Sequence, residues 1–359
     1  MTERTITYGD AILEAIAESM EADPSVVVLG DSVADPKGTR GSTGLVERFG
    51  PERIIGTPLS EGGVTGAAIG MALAGMRPLQ VHIRCDFAML AMDPLVNLAA
   101  KVRSMYGGAI GGCPLTVRLS IGRSWGQGAQ HSQGLQAMFA HVPGLRVVMP
   151  STPADAKGAM AWCLRKSQDP VVFIDHRMLH KLVGPAESPG LVSNRYGPAN
   201  WREHRGNGRP DITLVAVSHM VVEARRAVEI LASLGVRCSL FDPLWIRPLP
   251  CLPAVAADVA RTKHLLVVDC GWPSFGVSAE IVAGVAERVN ADRIQAVAFK
   301  AARMGHAETA CPTSHALEAL YYPTAETIAA KAYEMVTGEK MPAREGVAAP
   351  EVSTFRGPF

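Results

Sequence analysis

The sequence has almost no surplus charge: 35 lysines and arginines stand against 34 aspartates and glutamates, a net +1. Nothing electrostatic favours a nucleic-acid groove or an acidic membrane surface, so polyanion partners are not expected. Paired-cysteine motifs are missing too. Cys85, Cys113, Cys163, Cys238, Cys251, Cys270 and Cys311 are odd in number and scattered, with no C-x-x-C. That pattern argues against a disulfide framework and a zinc knuckle, and it points to a reducing compartment. The chain opens Met-Thr-Glu-Arg-Thr with no apolar signal stretch. No apolar run approaches the ~18 residues that span a bilayer, so a cytoplasmic chain without a membrane span is expected. Nucleotide and serine-hydrolase signatures are also absent. The first strand ends in Gly30-Asp31-Ser32 rather than a three-glycine turn, Gly126-Gln-Gly128 is only a fragment, and neither G-x-x-x-x-G-K-[ST] nor G-x-S-x-G occurs.

What is present is core-forming material. The 359 residues are 48% hydrophobic, which at roughly 150 residues per domain predicts two globular domains. Nearly continuous apolar runs predict buried strands at Ser25–Leu29, Leu79–Ile83, Leu115–Ile121, Arg146–Met149 and Val171–Asp175. Between them, Tyr8–Met20 carries Ile12, Leu13, Ile16 and Met20 at helical spacing, and Phe87–Met105 is apolar all round, predicting a buried helix kinked at Pro94. Alternation of this kind implies α/β units around a mostly parallel sheet with helices on both faces. From 182 to 210 the composition turns to Gly, Pro, Asn, Ser and Arg without periodicity, so a first domain over 1–181 and a linker over 182–210 are expected. A smaller α/β domain over 211–337 follows, with strands expected at Asp211–Val217, Arg237–Phe241, Leu265–Asp269 and Ile294–Phe299. Its helix Val221–Leu234 is closed by Gly235. The tail 338–359 has little to bury and reads as a disordered segment or an arm packed on a partner subunit.

Three side chains draw chemical interest. Glu61 stands at the end of an apolar strand and the start of a Gly/Ala-rich helix running to Gly75, a helix that can pack closely on one from another subunit and leave the carboxylate desolvated. Taken singly it reads equally as a first-turn acid that complements the helix dipole. His131, in the glycine-led loop Gly128-Ala-Gln-His131-Ser-Gln, has the side chain for acid/base work, although a lone loop histidine is more often structural. Phe87 alone reads as core.

Together the motifs carry more. Thr57-Pro-Leu-Ser-Glu61, Arg77-Pro78, Asp86-Phe87-Ala88-Met89, Ala99-Ala100-Lys101, Gly128-Ala-Gln-His131-Ser-Gln, Val142-Pro-Gly-Leu145 and Asp169-Pro-Val-Val172 occur in order, followed by Val267-Val-Asp-Cys-Gly271-Trp272, Phe275-Gly276 and Tyr322-Pro323-Thr324. In that order the chain resembles, over nearly its whole length, the beta subunit of the thiamine-diphosphate-dependent decarboxylating component of 2-oxoacid dehydrogenase complexes. The resemblance implies a transketolase-like pyrimidine-binding domain followed by a transketolase C-terminal-like α/β domain.

It also implies roles. Glu61 matches the glutamate that hydrogen-bonds a ring nitrogen of the cofactor's aminopyrimidine, favouring the tautomer that activates the thiazolium carbon. Phe87 matches the aromatic packed on the pyrimidine face. His131 matches a histidine at the substrate end, placed to orient the 2-oxo acid carboxylate or to move protons. Asp31 falls where the family has a glutamate linked to a chain of acids joining paired active sites, with a shorter reach.

The family's Gly-Asp-Gly with a later asparagine, which supplies hard oxygen ligands to Mg²⁺ and the diphosphate, is absent; 55–60 reads Ile-Gly-Thr-Pro-Leu-Ser. No metal ligand is therefore assigned here. An alpha subunit, in a heterotetramer, is expected to hold Mg²⁺ and the other half of the thiamine diphosphate site.

The chain departs from the family in several places. His82, Arg84 and Cys85 make the run before Asp86-Phe87 more polar, and the 174–180 segment differs. Ser167 replaces an acid common near a structural K⁺ site, and Met304-Gly-His-Ala-Glu308 replaces a proline-rich stretch, which bears on docking of a lipoyl acyltransferase. The resemblance predicts decarboxylation of a 2-oxo acid with acyl transfer to lipoamide. The alternative is a split carboligase or transketolase-like enzyme that forms a carbon-carbon bond. A degenerate, non-enzymatic subunit is disfavoured by the joint retention of Glu61, Phe87 and His131.

Overall fold

Buried, β-branched runs form the frame of the structure. The computed structural model describes residues 4–35, 44–123, 126–186, 193–194, 197–198, 202–205, 208–291 and 297–343. The chain divides into two units: Met1–Gly122 with Gln133–Asn200 and Leu244–Pro248, and Arg123–Ser132 with Trp201–Pro243 and Leu249–Phe359.

The first unit is built on a seven-stranded sheet. In spatial order its strands are Trp245–Arg247, Arg146–Val148, Val171–His176, Thr116–Ile121, Arg77–His82, Val26–Gly30 and Ile54–Gly56. All neighbours are parallel except Trp245–Arg247, which runs antiparallel to Arg146–Val148. Val26–Gly30 and Val171–His176 are buried along their whole length, as expected of strands covered on both faces. The helices Tyr8–Ala22 and Pro153–Arg165 pack against each other, each opened by a threonine N-cap. Strand order reverses beside Val26–Gly30: the next strand in the chain, Ile54–Gly56, lies to one side and the following one, Arg77–His82, to the other. At such a switch point the loops leave in opposite directions and open a crevice at the carboxyl ends. The backbones close tightly there, for a Cβ on Gly30, at φ +154°, would stand 2.4 Å from the Val81 carbonyl oxygen.

The second unit holds a five-stranded sheet in the order Arg202–Arg205, Cys238–Asp242, Ile212–Ala216, His264–Val268 and Lys300–Met304. Only Arg202–Arg205 is antiparallel. The helices His219–Ser233, Leu252–Thr262, Val277–Asn290 and Ala325–Thr337 flank it.

Three sequence expectations are corrected. The stretch Phe87–Met105 is not one buried helix but a 3₁₀ turn over Cys85–Ala91, a π-helical turn over Pro94–Ala99 and a short α-helix at Val102–Met105. Pro94 has no N–H to continue the ladder, so the bonding register changes there. Leu90, Leu98 and Met105 are exposed, contrary to the expected burial. The last strand of the second sheet is Lys300–Met304 rather than Ile294–Phe299; 297–299 is irregular and 292–296 lies outside the described residues. Within 182–210, Val183–Pro185 pairs with Thr5–Thr7 and Arg202–Arg205 joins the second sheet, so this stretch is not purely connecting chain. The tail beyond 343 lies outside the described residues.

Candidate active site

The crevice of the first unit collects chemistry because each strand that ends there is followed by a polar side chain. Asp31 follows Val26–Gly30, half-buried, and its Oδ1 accepts from the Ser32 hydroxyl at 3.1 Å. Glu61 follows Ile54–Gly56 as the first residue of the helix Glu61–Leu73. Thr65, Ala68, Ile69 and Ala72 of that helix are buried, while Gly63, Ala67, Gly70 and Leu73 are exposed. The small-residue face noted in the sequence is thus left uncovered by this chain.

The helix is tied to the sheet through polar contacts. Thr65 Oγ1 donates to the Glu61 carbonyl at 2.6 Å and accepts from Gln80 Nε2 at 2.8 Å. It also packs on the 3₁₀ turn that carries Phe87, so closely that a Cβ on Gly62 would lie 3.1 Å from the Leu90 carbonyl oxygen. Glu61 and Phe87 therefore lie on two elements in direct contact, and Asp31 ends the neighbouring strand.

His131 is placed differently. It follows the 3₁₀ turn Gly128–Gln130, half-buried, within the second unit. The structure brings Glu61, Phe87 and Asp31 to one sheet edge and sets His131 in the other unit.

The residues before Phe87 that depart from the family pattern, with Asp86 of its motif, share that edge. Asp86 is buried, and Gln133 Nε2 donates to its Oδ1 at 2.8 Å while its Oδ2 has no partner. Burial raises the Asp86 carboxyl pKa against the opposing hydrogen bonds from Gln133 and the charge of Arg84. The Arg84 side chain is fully buried and donates from Nη1 to the Gly122 carbonyl at 3.1 Å. His82 is held neutral, its pKa lowered to about 4 by burial.

Deeper in the sheet, Asp175 accepts from Arg118 Nε and Nη2 at 3.2 Å each and from the Ser120 hydroxyl at 3.1 Å, and it pairs with His180. The available signal was Arg118 and Ser120 two residues apart on one face of an apolar strand, which calls for a buried acid on the next.

A helix that starts with an acid, packed on a turn that carries an aromatic at a switch-point crevice, suits one end of a flat, nitrogen-bearing ring. This is the fit expected for the pyrimidine half of thiamine diphosphate. Among the described residues no group of three or more His, Cys, Asp or Glu is arranged to hold a metal ion. A separate cleft of about 800 Å³ in the second unit, lined by Arg303, Glu326, Lys331, Glu334 and Lys340 among others, contains none of the candidate residues.

Comparison with known proteins identifies the family. Residues 4–181 match the family described as Transketolase, pyrimidine binding domain, and residues 201–328 match Transketolase, C-terminal domain. The chain is 37% identical over 288 residues to the human mitochondrial pyruvate dehydrogenase E1 component subunit beta, covering 79% of this chain and 78% of that one. It is 36% identical over 354 residues to the acetoin:2,6-dichlorophenolindophenol oxidoreductase subunit beta of Cupriavidus necator, covering 94% and 99%. Among solved structures it is similar to a split-gene transketolase, an inactive beta4 tetramer, with TM-score 0.67 and 18% identity over 92% of this chain and 98% of that one. It is also similar to transketolase from Leishmania mexicana, with TM-score 0.66 and 16% identity over 96% and 48%. At these identities the two structures speak for the fold alone.

Proposed function

The chain belongs to the family of beta subunits of the decarboxylating component of 2-oxoacid dehydrogenases, and from that premise we propose that it forms, with an alpha subunit, a thiamine-diphosphate-dependent enzyme that decarboxylates a 2-oxo acid and transfers the acyl group to lipoamide. The observation that carries this reading is the contact between the Glu61 helix and the Phe87 turn at the switch-point crevice.

Thiamine diphosphate, when bound, supplies the electron sink that lets a 2-oxo acid lose carbon dioxide. The protein's part is to hold and to position. The Glu61 carboxyl shares a proton with a ring nitrogen of the aminopyrimidine and so biases its tautomer. Phe87 covers the ring face and excludes water. His131 orients the substrate carboxylate or moves a proton at the substrate end. Asp31 stands at the adjacent strand end as a further acid of the pyrimidine side.

Because the chain lacks the Gly-Asp-Gly motif, Mg²⁺ and the diphosphate fall to the alpha subunit. The exposed small-residue face of the Glu61 helix suits close packing in a heterotetramer. A lipoyl acyltransferase partner belongs to the same proposal, as does cytoplasmic residence, which the seven free, buried cysteines favour. No helix among the described residues is long and apolar enough to cross a membrane. A second substrate reading, acetoin, is favoured by the 99% coverage of the acetoin oxidoreductase subunit.

Co-purification from the native host tests the whole reading: an equimolar alpha partner with about one thiamine diphosphate per pair is expected. Turnover of pyruvate and of acetoin with 2,6-dichlorophenolindophenol as acceptor then separates the two substrates. Glu61→Ala should nearly abolish that turnover while leaving the melting temperature unchanged, and normal turnover would sink the assignment of Glu61.

A further inference from the structure

The loop that carries His131 leaves the seven-stranded sheet after Ile121, yet Arg123–Ser132 clusters with the second unit. Two anchors hold it there, both within that unit. The Arg123 guanidinium lies 5.4 Å from the centre of the Tyr322 ring and 3.9 Å from the Glu318 carboxylate. Gly126 and Gly128, at φ +71° and +65°, back onto Thr313, and a Cβ on Gly128 would stand 2.5 Å from Thr313 Oγ1. The Cys311 thiol of the same segment is buried and lies 3.6 Å from the Tyr322 hydroxyl. His131 thus follows directly on a stretch anchored at Arg123, Gly126 and Gly128, and every partner of that stretch comes from residues 311–322.

The chemistry of the seat suits holding rather than reacting. Glu318 is buried with Oε1 unpartnered, and burial raises its carboxyl pKa against the pull of Arg123 and His315. Burial likewise raises the Cys311 thiol and the Tyr322 hydroxyl, so both stay protonated. A partly buried ion pair of this kind adds little net stability and is better suited to fixing one geometry. A loop that served only to connect would need neither the ion pair nor two glycines pressed on a threonine.

We propose that Cys311–Tyr322 is a seat that fixes the position of His131, with Arg123, Thr313 and Glu318 as positioning residues. The proposal deepens the reading of His131 as a group facing the substrate, and it rests on that reading for its effect on turnover.

Gly128→Ala and Glu318→Gln, made in the enzyme assembled with its alpha subunit, test it. Diethyl pyrocarbonate modification of His131, followed by peptide mass, should change several-fold in rate in both variants, while the melting temperature of Glu318→Gln stays that of the parent. Turnover with pyruvate or acetoin should fall roughly 10- to 100-fold, the scale of a misplacement near 1 Å, with the KM for thiamine diphosphate unchanged. Glu318→Gln preserves volume and so still reports if Gly128→Ala fails to fold. In a His131→Gln background Glu318→Gln should add no further loss. Parent-like modification of His131 in both variants, or losses that multiply with His131→Gln, would overturn the proposal. Normal turnover by His131→Gln would instead remove the role of His131, while the modification rates would still decide whether 311–322 anchors the loop.

Discussion

Asp175 shows how a single buried charge is made tolerable. Burial alone would raise its pKa, but the Arg118 guanidinium and the His180 imidazole outweigh it and hold the carboxyl well below the usual carboxylate range. Removing one member of such a group leaves an uncompensated buried charge, which costs about 3–5 kcal/mol. Arg118→Met should therefore lower the unfolding free energy at pH 7 by about that amount, measured by urea titration; a loss below about 1 kcal/mol would show that the pair does not stabilise the sheet. Because the folded pKa is depressed, this contribution is present above the unfolded value of ~3.9 and is lost as pH falls below it. Glu61, in contrast, should be replaceable without loss of stability. The difference bears on what was legible. Glu61, Phe87 and His131 sit in runs of adjacent residues whose order could be read directly. Arg118 and Asp175 are 57 residues apart in sequence and meet only because their strands pair side by side, a non-local fact that no window of sequence contains.

At the scale of elements, what could be read was what is buried. Five of the seven strands of the first sheet follow apolar runs, and the structure shifts their ends by only one or two residues, whereas the short Ile54–Gly56 and Trp245–Arg247 have no such run to mark them. The edge strands obey another rule. Lys300–Met304 pairs on one side only and alternates exposed with half-buried residues, so its sequence, Lys-Ala-Ala-Arg-Met, lacks the apolar run that suggested Ile294–Phe299. Arg202–Arg205, a run of charged residues within the expected linker, is a second edge strand hidden for the same reason. The helix Ala325–Thr337 shows where local chemistry does decide. Thr324 closes a capping box with Thr327, and Gly338 ends the helix in the left-handed region. Thr324→Ala should cost about 1 kcal/mol, read as a lower denaturant midpoint with an unchanged slope. A midpoint equal to the parent's would mean that packing against His219–Ser233 alone sets the start of this helix.

Across the whole molecule, histidines held without charge recur among the described residues: His82, buried in the first unit, and in the second unit the buried His306 and the half-buried His219. Burial lowers His82 to about 4 and His306 to about 3, and burial with the nearby Arg123 and Arg226 lowers His219 to about 4. His306 packs against the rings of Trp272, Tyr321 and Tyr322, which offer it no hydrogen bond. In the unfolded chain each imidazole titrates near 6.5. Between pH ~6.5 and the folded values the unfolded state therefore binds more protons than the folded one, so stability rises with pH in this window and falls as the solution is acidified. Each histidine contributes about 1 kcal/mol per pH unit, against a total stability on the order of 10 kcal/mol. The thermal midpoint should then hold between pH 7 and 8 and drop steeply from about 6.5 towards 4, before most carboxylates titrate. His306→Phe, which keeps a ring among the three aromatics, and His82→Leu should each make the acid slope shallower without lowering the midpoint at pH 8. A flat midpoint from pH 8 to pH 5 in the parent chain would show that these imidazoles gain their protons without unfolding, and that their burial is not what limits the enzyme in acid.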